Sequence, residues 1–151
     1  MKHQSLEILK GVHKISKDQL SALKAICTEV EKYYATIAGI YLDLSSEWLV
    51  KPNGLPKRFK KQTNHPILTL GTDRDIPVII GDIATNSACA KFYKTNKDKH
   101  RFFATISLKS KSGIRFARLN MVAEAPRPEF GLNDTDFLRE ASQRIVKVLK
   151  L

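Results

Sequence analysis

The spacing of apolar residues changes period twice along this chain of 151 residues, and that restricts the folds open to it. Leu20, Leu23, Ile26, Cys27 and Val30 recur at helical spacing. Ser16 and Gln19 precede them as a capping box, in which a hydroxyl and an amide each satisfy a free backbone N–H. The pattern predicts a helix over residues 17–33. A shorter apolar stripe, Leu6, Ile8, Leu9 and Val12, predicts a first helix over residues 5–13. Residues 1–16 therefore read as a helical lead and 17–151 as one domain. From residue 35 the period shortens. Residues 35–42 are almost continuously apolar, as in a strand buried on both faces. Ser45 and Ser46 turn the chain into a second strand, 47–51, which Pro52 and Gly54 close. Residues 76–80 form a short strand that Pro77 confines to an edge or a strand start. Residues 100–109 and 114–123 pair around the turn Ser110–Gly113, the strongest hairpin signal present.

The helical period then returns. After Pro126, Pro128 and Gly131, Asn133 is placed to cap a closing helix with Asp134 and Asp136 in its first turn. Phe137, Leu138, Ala141, Ile145, Val148 and Leu149 give its apolar face. Between the strands lie a basic connector (55–63), a short helix over 65–71 capped by Asn64, and a polar loop over 82–99 with one helical turn around 86–92. Helices at both ends with strands between them predict an α+β domain on an antiparallel sheet of five or six strands.

Charge follows a different division. Residues 51–118 hold fifteen basic and four acidic residues, which is the whole net charge of +11, while each flank is balanced. Such a block suits an anionic partner, and it equally suits a solvated surface. No apolar run reaches the length of a membrane span. Cys27 and Cys89 lie far apart and match no metal or redox spacing, as expected in a reducing cytoplasm. The four histidines form no ligand-spaced cluster, so neither a metal nor another cofactor is expected.

Four stretches carry a resemblance. Trp48-Leu49-Val50-Lys51-Pro52-Asn53-Gly54-Leu55-Pro56 resembles a strand and "GLP" turn of bacterial GAF domains. Asp75-Ile76-Pro77-Val78-Ile79-Ile80-Gly81-Asp82-Ile83 is similar to their strand ending in aspartate, and Arg101-Phe102-Phe103-Ala104-Thr105-Ile106 to their "FYAGAPL" strand. Phe130-Gly131-Leu132-Asn133-Asp134-Thr135-Asp136-Phe137-Leu138 resembles the start of their closing helix. The resemblance spans about residues 20–149. It implies a PAS-like sensor fold: end helices on one face of the sheet, and on the other a ligand pocket beneath residues 64–71 and 82–100. It departs from the family at Arg115 and Arg118, where small or apolar residues are usual. Alternation along the strand lets at most one of these two face a pocket.

The site this implies is Asp82, Cys89, Phe92, Tyr93, Lys97, His100, Arg101, Phe103 and Arg115. Basic groups interleaved with rings suit a small anionic, nucleotide-like ligand. The family also implies homodimer formation through second apolar strips on the helices at 17–33 and 133–149, and signalling to an output domain in a longer chain. Two other readings stand beside this one. The chain is then an interaction module with a degenerate pocket, or its basic block binds nucleic acid, although no helix-turn-helix, RNP-like or GxxG motif accompanies that block. Catalysis has little support. A methionine sulfoxide reductase of the GAF type needs closely placed cysteines, and Cys27 lies on a helix stripe that points to the core.

Overall fold

A computed structural model describes residues 2–54, 76–96 and 99–151, except for the side chains of Lys2, Phe92, Thr95 and Asn96. The expected connector (55–63) and short helix (65–71), with Lys97, lie outside the described residues. Helix α1 (Lys2–His13) leads into α2 (Lys17–Tyr34). The capping box forms: Gln19 N–H donates to Ser16 Oγ at 3.0 Å, and Ser16 N–H donates to Gln19 Oε1 at 2.8 Å. Strands β1 (Ile37–Leu42) and β2 (Glu47–Val50) make the first hairpin. Strand β3 (Val78–Ile80), helix α3 (Ala90–Asn96), strands β4 (Phe102–Lys109) and β5 (Arg115–Ala123), and helix α4 (Asp136–Leu149) follow.

The five described strands form one sheet in the order β2-β1-β5-β4-β3, every neighbour antiparallel. β3 sits at an edge, where a strand preceded by Pro77 loses least from the missing N–H. All three long helices cover one face. Leu23, Ile26 and Val30 of α2 and Leu138, Ala141 and Ile145 of α4 pack on Ile40, Ala104, Leu119 and Met121. Ile8 and Val12 of α1 join the same core, so the lead is part of the packed unit. β1 is buried on both faces, as its composition predicts. Gly39 is required there: a Cβ would stand 2.5 Å from the Val50 carbonyl oxygen and 2.6 Å from the Pro52 ring.

Three local expectations are corrected. Asn133 does not cap the closing helix. A 3-10 turn, Leu132–Thr135, comes first, held by Asp134 Oδ2 accepting from Gly131 N–H at 2.7 Å and by Thr135 Oγ1 donating to Leu132 O at 2.6 Å. The helical turn expected around 86–92 begins only at Ala90. Asp82 and Asn86 each accept the N–H two residues on, and the Asn86 carbonyl accepts from Cys89 and Ala90 N–H at 3.1 and 2.8 Å, so the turn at 86 leads into that helix. The second apolar strips are also missing. The outward faces of α2 and α4 present Lys24, Thr28, Glu29, Arg139, Glu140 and Gln143, and Tyr33 is their one exposed large apolar residue.

Segment 124–130 straps the two layers together. Arg127 N–H donates to Gly81 O at 2.8 Å, so near that a Cβ on Gly81 would meet Arg127 O at 2.8 Å. The Arg127 guanidinium donates to Tyr34 O at 2.5 Å and Ala35 O at 2.9 Å, over the Phe102 ring. A cation there satisfies the free carbonyls at the negative end of α2.

Candidate functional site

The sheet face turned away from the helices is different in kind. Leu119 and Met121 face the helices, so alternation turns Arg118, Asn120 and Val122 the other way. Pairing sets three rows across that face. Tyr41, Arg118 and Ser107 form one, Gly39, Asn120, Thr105 and Val78 the next, and Ile37, Val122, Phe103 and Ile80 the last. The face therefore runs from charged, through polar, to apolar.

At the charged end the Arg118 side chain is 0% exposed, and its Nε donates to Asp43 Oδ1 at 3.0 Å. Asp43 is placed by the hairpin that follows β1, where its N–H donates to Phe116 O at 3.0 Å. Burial pushes the Asp43 carboxyl above its ordinary range, against the opposing pull of the Arg118 guanidinium. The Tyr41 ring lies 5.8 Å from the guanidinium and meets Trp48 edge-on at 5.1 Å. In the middle row, Asn120 (2% exposed) and Thr105 (1% exposed) sit side by side on neighbouring strands. The Asn120 Oδ1 and Nδ2 and the Thr105 Oγ1 are buried without a hydrogen-bond partner. Each such group costs about 1–3 kcal/mol when left unsatisfied, so three together are an exception that calls for an explanation.

The apolar row is roofed by Ile83, Cys89 and Tyr93, brought over it by residues 82–96. That segment is fastened to the start of β4. Ile83 N–H donates to Arg101 O at 2.8 Å, and Arg101 grips Asp82 through Nε at 3.0 Å and Nη2 at 2.6 Å. This double contact holds the Asp82 carboxyl below its ordinary range and raises Arg101 further. The Tyr93 ring stands 5.8 Å from the same guanidinium.

Of the residues chosen from the sequence, Cys89 and Phe103 are fully buried on this face and Tyr93 is half-buried beside them. His100 is buried just ahead of β4. Asp82 and Arg101 bind each other, so their charges serve the loop before any ligand. Phe92 lies on α3, and Lys97 falls outside the described residues. Arg115 opens β5 opposite Lys109, half-buried, and the buried arginine of the pair is Arg118. Sequence reasoning missed Asp43, Thr105 and Asn120. The available signal was alternation: Thr105 and Ser107 in β4, and Arg118 and Asn120 in β5, interrupt apolar strands every second residue.

The two thiols lie on opposite sides of the sheet, Cys27 in the helix-side core and Cys89 in the far one. Burial pushes Cys27 up to about 12 and also raises Cys89. Each thiol is buried in its own layer, with the sheet between them. Among the described residues no three His, Cys, Asp or Glu side chains gather as a metal site. No helix of the described residues is long and apolar enough to cross a membrane.

Comparison with solved structures settles the fold. A GAF domain/HD domain protein from Geobacter sulfurreducens superimposes with a TM-score of 0.65 at 13% identity, covering 87% of this chain and 92% of that one. GAF3 from Slr1393 of Synechocystis, in its photoproduct state, gives 0.63 at 16% identity, covering 87% and 93%. The free methionine-R-sulfoxide reductase of Neisseria meningitidis, solved with its substrate, gives 0.63 at 17%, covering 97% and 86%. The chain has the GAF fold. No family model matches the sequence, and no curated protein does.

Proposed function

We propose that this chain is a sensory or regulatory GAF-fold domain that binds a small molecule on the sheet face opposite the helices and does no chemistry on it. One observation carries the reading: the buried, unpartnered polar atoms of Asn120 and Thr105, side by side at the centre of that face. A small ligand bearing a donor beside an acceptor would satisfy all three, and Tyr41, Trp48 and Phe103 offer rings around it. The nearby cations Arg101 and Arg118 are matched by Asp82 and Asp43, so hydrogen bonding rather than net charge selects the ligand. Binding there would reach the helices through residues 82–101, Gly81 and the Arg127 strap.

A thermal-shift screen against amino acids, 2-oxo acids, nucleotides and cyclic nucleotides tests the reading. A ligand at about 100 times its dissociation constant adds about 2.7 kcal/mol of stability. The shift is expected in the wild type and absent from Asn120→Leu and Thr105→Val. A ligand that shifts all three proteins equally binds elsewhere and defeats the assignment.

A further inference from the structure

The donor and acceptor pattern of Asn120 and Thr105 restricts the chemistry of the ligand as well as its place. The two residues stand directly opposite each other on β5 and β4, so their side chains leave the sheet side by side. Asn120 presents one acceptor oxygen and two donor hydrogens in a single plane, and the Thr105 hydroxyl both donates and accepts. Asn120 Oδ1 and Nδ2 and Thr105 Oγ1 are all buried without a hydrogen-bond partner. A group that settles there must therefore offer a donor and an acceptor together. A carboxylate or phosphate only accepts and would leave Asn120 Oδ1 stranded. An ammonium only donates and would strand Nδ2. An anion would also have to compete with Asp43 for Arg118 and with Asp82 for Arg101.

Geometry narrows the choice further. A carboxamide such as that of Asn120 holds its N–H and C=O parallel and side by side. Its complement is a second amide turned the same way, N–H cis to C=O, so that two hydrogen bonds close one planar ring. The same two-point contact lets an asparagine read the edge of a base. Amides of open peptide chains are trans, with N–H and C=O pointing in opposite directions. A cis edge belongs to ring lactams, cyclic ureas and primary carboxamides. The surroundings suit a flat body behind such an edge. Along the Asn120 row the Pro52 ring takes the place of a Gly39 side chain, whose Cβ would meet it at 2.6 Å, and Val78 closes the other end. Tyr41 and Phe103 bring rings from the two neighbouring rows.

We propose that this face recognises its ligand through a cis amide edge, set against the Asn120 carboxamide with the Thr105 hydroxyl completing the contact. The ligand class is a ring lactam, a cyclic urea or a primary carboxamide. The edge that is read is uncharged, in contrast to the anionic group that the basic block of residues 51–118 suggested. The inference rests on the reading of this face as a ligand site, and it names what that site selects.

Four fragments test it. Benzamide and 2-pyridone carry the edge. Benzoate keeps the shape of benzamide without the donor, and N-methylbenzamide turns its N–H away from its C=O. Ligand-observed NMR follows their binding at the millimolar concentrations suited to molecules of this size, on the wild type and on Asn120→Leu and Thr105→Val. Benzamide and 2-pyridone are expected to bind the wild type at least about tenfold more tightly than the other two, because a site built to hydrogen-bond a group rejects the analogue that lacks it. That preference is expected to disappear in Asn120→Leu and to shrink in Thr105→Val. Benzoate or N-methylbenzamide binding as tightly as benzamide overturns the amide edge; if Asn120→Leu still abolishes that binding, the ligand site itself stands. Failure of both benzamide and 2-pyridone to bind the wild type also overturns the amide edge, and the wider thermal-shift screen then decides the site independently. A preference retained in both variants places the amide contact elsewhere on the molecule and overturns the inference.

Discussion

The two faces of one sheet were built to opposite rules. On the helix side, Ile40, Ala104, Leu119 and Met121 meet apolar side chains from three helices. On the far side, one residue along each strand, Tyr41, Thr105, Arg118 and Asn120 are buried just as deeply but carry charge, hydroxyl and amide. Apolar burial is worth about 25 cal/mol per Å², whereas a polar group buried without a partner subtracts stability. The first face therefore holds the domain together. On the second, the apolar row of Val122, Phe103 and Ile80 contributes likewise, but the unpartnered atoms of Asn120 and Thr105 subtract from it, and a ligand that fills their hydrogen bonds would return what is lost.

Substitutions on the two faces sharpen or break this contrast. The largest effect is expected from Asp43→Ala, which takes the carboxylate from the buried Arg118 and should destabilise by up to about 3–5 kcal/mol. Replacing both, as Asp43→Leu with Arg118→Met, should recover most of that loss, because an ion pair removed whole leaves no stranded charge. Chemical denaturation of the single and double variants measures both. Next, Leu119→Ala should lose about 2–5 kcal/mol from the helix-side core. Its neighbour changed as Asn120→Leu should instead gain about 1–3 kcal/mol by removing unsatisfied atoms. Opposite signs at adjacent residues would be hard to obtain unless the faces differ as described. If Asn120→Leu destabilises as Leu119→Ala does, the far face is an ordinary core.

Acid titration separates two carboxylates that lie 39 residues apart in sequence. Asp82 has a lowered folded value, so its contribution is present above the unfolded carboxylate range and is lost as the pH falls through the folded value. Asp43 has a raised folded value. It takes up its proton earlier in the folded state, so its contribution runs the other way and stability rises as the pH falls through that value. Denaturation midpoints between about pH 3 and 7 should therefore flatten on the acid side in Asp82→Asn and fall more steeply in Asp43→Asn. The smallest effect lies outside both faces. Ala35 ends α2 at φ 53°, a left-handed conformation that suits glycine, so Ala35→Gly should stabilise by about 1 kcal/mol.

The sequence exposed the architecture far better than the site. Period changes located both helices of the main domain and the hairpins, because amphipathic burial writes a repeating pattern into contiguous residues. Ser16 with Gln19, and Pro77 at an edge, acted through local geometry and were equally legible. Asp43 and Arg118 are 75 residues apart, and nothing in either neighbourhood announces their pairing. Asp82 and Arg101 show the converse. Each has the chemistry of a ligand-binding group, but their mutual contact across 19 residues is a property of the folded loop. Thr105 and Asn120 were masked by the apolar strands around them, since a strand buried on both faces has no polar side against which a polar residue stands out.

The separation of Cys27 and Cys89 by the sheet has a further use. Each thiol is sealed within a different layer, so neither meets an alkylating reagent until its own layer opens. The labelling rate of Cys27 therefore clocks the lifting of the helices, and that of Cys89 clocks the parting of the segment above the far face. A small molecule seated on Asn120 and Thr105 would slow the second clock more than the first. The native protein thus carries two internal timers, one for each side of its sheet.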